Sequence, residues 1–184
     1  MSINNKSTKL NDKQFNKLVE SIKKDFSKTY GEDGAKAELV ISDKATITAN
    51  VIDQKGTVVT DDEGNEIGVS FKGGVTETLG DSQQNSFTVA ASTDGSKRAN
   101  SDITRSFNHE AAHTAGLDHP WNNRDKVSDI NQNSKTVKPK TIKANLLNSG
   151  ANPNPNYREN TGSDLTSGQL KKMDQVIQSQ QKKK

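Results

Sequence analysis

Cysteine is absent from all 184 residues of the chain, so neither a disulfide framework nor a thiolate metal ligand is available to it. Aromatic residues make up 4% of the sequence and hydrophobic residues 28%, and both fractions are low for a globular protein. We therefore expect a small hydrophobic core and long polar loops. The length fits a single domain.

Long apolar runs are missing too. No segment approaches the roughly 20 apolar residues that span a bilayer, so we expect no membrane span. Residues 1–6 lack the apolar stretch of a signal peptide, and residues 1–10 are polar enough to predict disorder.

The net charge of +3 comes from 26 basic and 23 acidic residues, which indicates a mixed surface. Because nucleic-acid-binding proteins cluster their positive charge, we expect no nucleic-acid partner.

Histidine is scarce as well, but its three occurrences are concentrated in one short run. Residues 109–119 follow the pattern His-Glu-x-x-His-x-x-Gly-x-x-His, with His109, Glu110, His113, Gly116 and His119 at the fixed positions. Neutral imidazoles are common ligands of zinc. No other part of the sequence predicts a chemistry so specifically.

The spacing of these residues suits one metal ion. An α-helix has about 3.6 residues per turn, so His109 and His113 lie on one face and Glu110 is rotated away from it by about 100°. His119 is out of phase with that face, and the helix must therefore end before it. Gly116 predicts the end, because glycine adopts the left-handed conformation at a helix C-terminus at little cost.

Three protein ligands leave the fourth tetrahedral position of zinc open, as catalytic sites do. We expect one catalytic Zn2+ bound by His109, His113 and His119. Zinc lowers the pKa of a bound water towards about 7, and Glu110 then acts as the general base that takes its proton. Asp118 is the best candidate for a fourth ligand that closes the site, but it is adjacent to His119 and is expected to point away.

Two alternatives remain. A bare His-Glu-x-x-His pair can occur by chance on a surface helix, although Gly116 and His119 at their offsets make chance the weaker explanation. The other alternative is a catalytically inactive, zinc-stabilised module that binds peptides. Glu110 argues against it, because a purely structural site has no use for that carboxylate.

The long motif resembles the metzincin clan of zinc metallopeptidases, which it matches closely over residues 101–120. The resemblance implies an α+β fold with a twisted mixed sheet, a backing helix and an active-site helix. It places an upper subdomain at 11–116 and a small, irregular lower subdomain at 117–184 that ends in a helix, together one metallopeptidase domain. It also implies a zinc-dependent endopeptidase with a protein or peptide substrate. The motif does not assign a family within the clan.

One departure from the clan is visible in the segment 144–150, which resembles the turn that carries a methionine beneath the metal. Leu147 stands where the methionine is expected. Leucine is similar in volume and apolarity, so it could still form an apolar base there. The alternative is an ordinary buried turn elsewhere in the fold. The sequence has two methionines, Met1 and Met173, and we expect Met173 to pack in the last helix.

The remaining patterns predict the secondary structure. A capping box at Asn11 and Gln14 begins a helix that ends near Tyr30, and either Asn100 or Ser101 caps the active-site helix. A capping box at Thr166 begins the last helix, with Leu170, Met173, Val176 and Ile177 on its buried face. Strands are predicted at Ala37–Ser42, Thr46–Ile52, Thr57–Thr60, Ile67–Phe71, Val75–Leu79 and Ser86–Ser92.

The clan resemblance also gives these elements expected roles. Either Val75–Leu79 or Ser86–Ser92 is the edge strand that pairs with the substrate backbone. After His119, Trp121 is expected either to pack and stiffen the exit or to line a subsite. Tyr157 is a candidate hydroxyl donor to the transition state. We expect a monomer that is secreted or delivered outside the producing cell. A narrower form of the endopeptidase hypothesis is a toxin-like effector domain. The sequence does not indicate the substrate, the cleavage preference or the delivery route.

Overall fold

Helices pack against a mixed sheet in an α+β arrangement. The computed structural model describes residues 1–31, 37–60, 62–70, 74–79, 83–159 and 162–181. In chain order the elements are β1 (Ser2–Asn5), α1 (Asp12–Tyr30), β2 (Thr48–Gln54), β3 (Thr57–Thr60), β4 (Glu66–Ser70), β5 (Gly74–Leu79), β6 (Gln83–Thr93), β7 (Ser96–Lys97), α2 (Asn100–Thr114), α3 (Pro139–Ala144), a 3-10 turn (Pro155–Tyr157) and α4 (Ser167–Gln181).

The main sheet has the strand order β1-β2-β6-β5, and β7 pairs with the end of β6. β1, β2 and β6 are parallel, whereas β5 is antiparallel to β6. The register aligns Ala49 with Phe87 and Val51 with Val89, and all four side chains are buried. Residues two apart in a strand share a face, so this face of the sheet forms the core. β3 and β4 form a separate antiparallel pair.

The position of β5 decides between the two predicted edge strands. β5 has a single neighbour among the described strands, whereas β6 is paired on both sides. The candidate Ser86–Ser92 lies within β6, so that alternative is wrong. The predicted strand Val75–Leu79 is confirmed as part of β5, at the edge of the sheet.

The capping box of α1 is confirmed. The Asn11 side chain accepts a hydrogen bond from the Gln14 amide at 2.9 Å, and the Gln14 side chain accepts one from the Asn11 amide at 3.1 Å. The helix ends at Tyr30, as predicted, and buries Leu18 and Ile22 completely. α1 is therefore the helix that backs the sheet.

Two N-terminal predictions are wrong. Residues 1–10 were expected to be disordered, but Ser2–Asn5 pair with β2, and Ile3 packs on the core. Ala37–Ser42 was expected to be a strand, and no strand forms there. The pairing of β1 with β2 accounts for both differences, because it orders Ser2–Asn5 and occupies the edge of β2. The second segment instead donates one hydrogen bond from the Ser42 amide to the carbonyl of Met1.

Two details of the later helices also differ from prediction. The N-cap of α2 is Ala99, because the amides of Asp102 and Ile103 both donate hydrogen bonds to the Ala99 carbonyl. No side chain caps this end of the helix. Neither Asn100 nor Ser101 therefore acts as the cap. In α4, the capping box at Thr166 is confirmed, but Ile177 is 43% exposed and does not join the buried face.

Among the described residues, three clusters of buried hydrophobic side chains make up the core. The first joins α1, the sheet and α2, and in it Phe87 and Phe107 meet edge to face with ring centroids 5.2 Å apart. The second lies between α2 and α4 and includes Leu147 and Met173, which confirms the packing role of Met173. The third is smaller and lies near α3. No helix in the described ranges is long and apolar enough to cross a membrane.

Candidate metal centre

α2 places two histidines of the motif on one face and its apolar residues on another. Ile103, Phe107 and Ala111 are buried in the core cluster that includes the sheet. His109 and His113 lie one turn apart, and their Nε2 atoms are 3.2 Å from each other. The sheet therefore fixes the rotation of the helix that positions both imidazoles.

The helix ends where the glycine predicts. Gly116 has a φ of 84°, in the left-handed region. Its amide donates to the His113 carbonyl at 2.9 Å, and the Leu117 amide donates to the Ala112 carbonyl at 3.1 Å. This pair of hydrogen bonds is the Schellman motif, which reverses the chain. The reversal returns His119 towards the helix.

The three histidines come together and could bind a metal ion. One ring nitrogen from each of His109, His113 and His119 lies within 4.8 Å of the other two. No carboxylate joins this group in the part of the chain that the structure describes.

The second nitrogen of each ring is hydrogen-bonded to the backbone. The Nδ1 atoms of His109, His113 and His119 lie 2.8, 2.9 and 2.8 Å from the carbonyls of Leu146, Leu117 and Leu147. A carbonyl only accepts, so each Nδ1 carries the hydrogen and each Nε2 keeps its lone pair. Such hydrogen bonds orient metal-binding histidines in proteins.

This tautomer assignment means that the short contact between His109 and His113 is not a hydrogen bond. Two Nε2 lone pairs face each other at 3.2 Å, which is repulsive unless a cation lies between them. Two nitrogens that each lie about 2.0–2.1 Å from a tetrahedral ion are roughly 3.3 Å apart. The observed separation therefore fits two ligands of one small metal ion.

The imidazoles stay neutral at neutral pH. Burial lowers the pKa of His109 well below its usual value, and the neighbouring His113 adds to the effect. Burial, followed by the effect of His119, lowers the pKa of His113 to about 4. The pKa of His119 is lowered by burial too. Neutral imidazole is the form that binds metal, so the site is ready to accept an ion.

The segment 144–150, which resembles the methionine turn, lies against the histidines. The carbonyls of Leu146 and Leu147 accept hydrogen bonds from His109 and His119. The Leu147 side chain is fully buried, in the same core cluster as Ala112 of α2. Its amide donates to the Asn145 side chain at 3.0 Å, which fixes the turn.

Arg105 is a positioning residue that the sequence analysis missed. It precedes His109 by one helical turn, and its guanidinium donates to the carbonyls of Leu146, Asn148 and Gly162 at 3.2, 2.9 and 2.9 Å. Arg105 thus ties the turn to α2 from the same side as the histidines. The only signal in the sequence is its spacing of four residues from His109, which by itself does not indicate a role.

Asp118 points away from the histidine group, as expected. Its carboxylate pairs with Arg124 at 2.8 Å and accepts hydrogen bonds from the amides of His119 and Arg124. Burial would raise the pKa of Asp118, but these hydrogen bonds outweigh it and lower the pKa to about 2. The carboxylate therefore supports the turn around His119 and is not placed as a ligand.

The other predicted residues are distributed around the site. Glu110 is 6% exposed and follows His109 on α2. Trp121 stacks on His119, with the ring planes 7° apart. Tyr157 packs on the cluster of Val127, Ile130 and Ile142, and its predicted role as a hydroxyl donor remains a prediction.

Exchanging Leu147 for methionine and for alanine tests whether its side chain supports the histidines. We expect Leu147→Met to cost less than about 1.5 kcal/mol in stability, because the volume is conserved. Leu147→Ala should cost about 2–5 kcal/mol through the cavity it leaves. It should also weaken metal binding, because the cavity loosens the turn whose Leu147 carbonyl orients His119. Zinc affinities are to be measured where both variants are folded. An unchanged affinity for Leu147→Ala would make Leu147 a residue of the general core only.

No family model matches the chain, and no curated protein matches it. The geometry of the histidine group is therefore the basis for a functional proposal.

Proposed function

We propose that the chain is a zinc-dependent endopeptidase of the metzincin type. The observation that carries the proposal is the convergence of three Nε2 lone pairs from rings whose Nδ1 atoms are all bonded to backbone carbonyls. Three fixed ligands leave a coordination position open, which favours a catalytic over a structural site.

The donor set favours zinc among the common metals. Three imidazole nitrogens without a carboxylate suit zinc, whereas calcium and magnesium prefer oxygen ligands. Copper and nickel also bind imidazole, and tetrahedral coordination favours zinc over their planar geometries. The spacing of 3.2 Å between the first two Nε2 atoms agrees with the tetrahedral arrangement.

His109, His113 and His119 would hold the zinc, whose chemistry there would be to polarise the substrate carbonyl and to acidify the attacking water. Glu110 would take a proton from the water and pass it to the leaving amine. Its position directly after His109 puts it beside the ligand face without making it a ligand. Arg105 and the carbonyls of Leu146 and Leu147 hold the rings still, so that little reorganisation is needed during the reaction.

The fold supports the proposal through the elements that surround the site. An antiparallel strand at the edge of the sheet, β5, could receive an extended peptide by strand addition. The chain order of α1, α2 and α4 is compatible with the backing helix, active-site helix and C-terminal helix that the metzincin resemblance implies. We further propose a protein or peptide substrate, a monomeric enzyme, and action outside the producing cell, in the narrower version as a toxin-like effector.

An unbiased peptide library distinguishes the peptidase from an inactive zinc module. Protein loaded with one equivalent of zinc should cleave a subset of peptides, as detected by mass spectrometry. Chelator-treated protein should cleave none, and the addition of zinc should restore cleavage. A fully zinc-loaded protein that leaves every peptide intact would contradict the proposal and favour the peptide-binding module.

The lowered histidine pKa values predict how the stability of the metal-free protein depends on pH. Well above pH 6.5 the histidines are neutral in both the folded and the unfolded chain, and they contribute no pH dependence there. Below pH 6.5 the unfolded histidines take up protons, whereas His109 and His113 in the folded chain do not until the pH reaches their lowered pKa values. Stability should therefore fall between pH 6.5 and pH 5, by roughly 1.5 kcal/mol for His113, and His109 should add to the fall in the same direction.

Denaturant titrations at several pH values measure this effect. The control is the variant with asparagine at positions 109, 113 and 119, in which the fall between pH 6.5 and pH 5 should be absent. An equally steep fall in the control would assign the pH dependence to other groups.

A further inference from the structure

The third histidine is positioned differently from the first two. His109 and His113 are fixed by α2, whereas His119 lies in the loop beyond Gly116. The His119 carbonyl accepts hydrogen bonds from the amides of Asn122 and Asn123, so a tight turn begins at the ligand itself. Within this turn, the orientation of the His119 ring depends on contacts made by its side chain.

Two contacts of the His119 ring involve residues other than the histidines. Its Nδ1 donates to the Leu147 carbonyl at 2.8 Å, and its face lies on the indole of Trp121. The centroids of the two rings are 4.2 Å apart and the planes 7° apart, which is a parallel stack. The contacts among the three histidine rings are tilted or edge-on instead, with planes 44° to 83° apart.

A stack of this kind gains strength when the imidazole binds a metal. The face of an indole carries negative charge in its quadrupole and attracts cations, more strongly than the faces of tyrosine and phenylalanine do. An imidazole that donates its lone pair to a divalent ion becomes electron-poor. The stack is then stronger in the metal-bound form than in the metal-free form, and the difference adds to the affinity for the metal.

We propose that Trp121 is a positioning residue that raises the metal affinity of the site by stacking on His119. The proposal rests on the metal-binding part of the proposed function and not on peptide hydrolysis. Trp121 fixes the ring plane of the one ligand that the helix does not hold. Trp121 packs against the His119 ring and also favours the metal-bound state, because its indole attracts the polarised imidazole more strongly.

Substitutions at position 121 separate this role from simple packing. Zinc affinity, measured by competition with a chromophoric chelator, should decrease in the order wild type, Trp121→Phe, Trp121→Leu. We expect about a tenfold loss for Trp121→Leu, which corresponds to about 1.4 kcal/mol, and a smaller loss for Trp121→Phe. Phe15→Leu is the matched control: Phe15 packs on the first core cluster, which contains none of the histidines, and its loss should leave zinc affinity unchanged.

The chain contains a single tryptophan, so fluorescence reports on this contact directly. Titration of the metal-free protein with zinc should change the emission of Trp121 and reach an end point at one equivalent. Equal zinc affinities for the wild type and Trp121→Leu, with both proteins folded, would overturn the proposal. Zinc binding that follows the predicted order without any peptide cleavage would leave it standing and would contradict only the peptidase function.

Discussion

Glu110→Ala should abolish peptide hydrolysis and leave one zinc bound. The residue is outside the group of ligand nitrogens, so its loss removes proton transfer without removing a ligand. General acid–base catalysis contributes about 10²–10⁴-fold, and we expect kcat/KM to fall by at least that factor. The measurement uses the best peptide from the library, with the zinc content of each preparation determined in parallel.

Glu110→Gln is the matched control for packing. Glu110 is buried, so alanine leaves a cavity that could disturb α2, whereas glutamine keeps the volume and loses only the basic carboxylate. Both variants should be inactive and should bind zinc as the wild type does. A Glu110→Ala protein that cleaves peptides at an undiminished rate would contradict the mechanism.

His119→Ala should show the opposite pattern, with loss of the metal as the primary defect. Removing even a hydrogen-bonding partner of a metal ligand costs about 10–100-fold in affinity, so removing the ligand itself should cost more than 100-fold. Peptide cleavage should be lost in proportion to the zinc that is lost. The metal-free variant should remain folded, because His119 lies in a loop outside the three core clusters.

Comparison of the two variants assigns the roles. If His119→Ala retained the zinc affinity of the wild type, the metal would have to bind elsewhere, and the histidine group would lose its proposed function. If both variants lost zinc equally, Glu110 would be acting as a ligand.

The parts of the site that local geometry determines could be predicted from the sequence. The spacing of His109 and His113 follows from the helix period, and the reversal that returns His119 follows from the conformational freedom of Gly116. The capping box at Asn11 also joins residues that are close together in the sequence. In each case the interacting residues lie within a few positions of one another, so the pattern carries the information.

The parts that depend on distant residues could not be predicted. The carbonyls that orient His109 and His119 come from Leu146 and Leu147, which are 37 and 28 positions further along the chain. The bonds from Arg105 to the same turn are equally remote. β1 was missed for the same reason, because a four-residue polar strand is stable only through its pairing with β2. Such contacts depend on the tertiary fold, and a single sequence carries no local pattern for them.

The most direct test of the central claim is X-ray diffraction at the zinc absorption edge from crystals of the zinc-loaded protein. The account predicts one anomalous peak, about 2.0–2.1 Å from the Nε2 atoms of His109, His113 and His119, with a water in the fourth position. Absence of a peak between the three histidines, or a fourth protein side chain that closes the coordination shell, would contradict a catalytic zinc site.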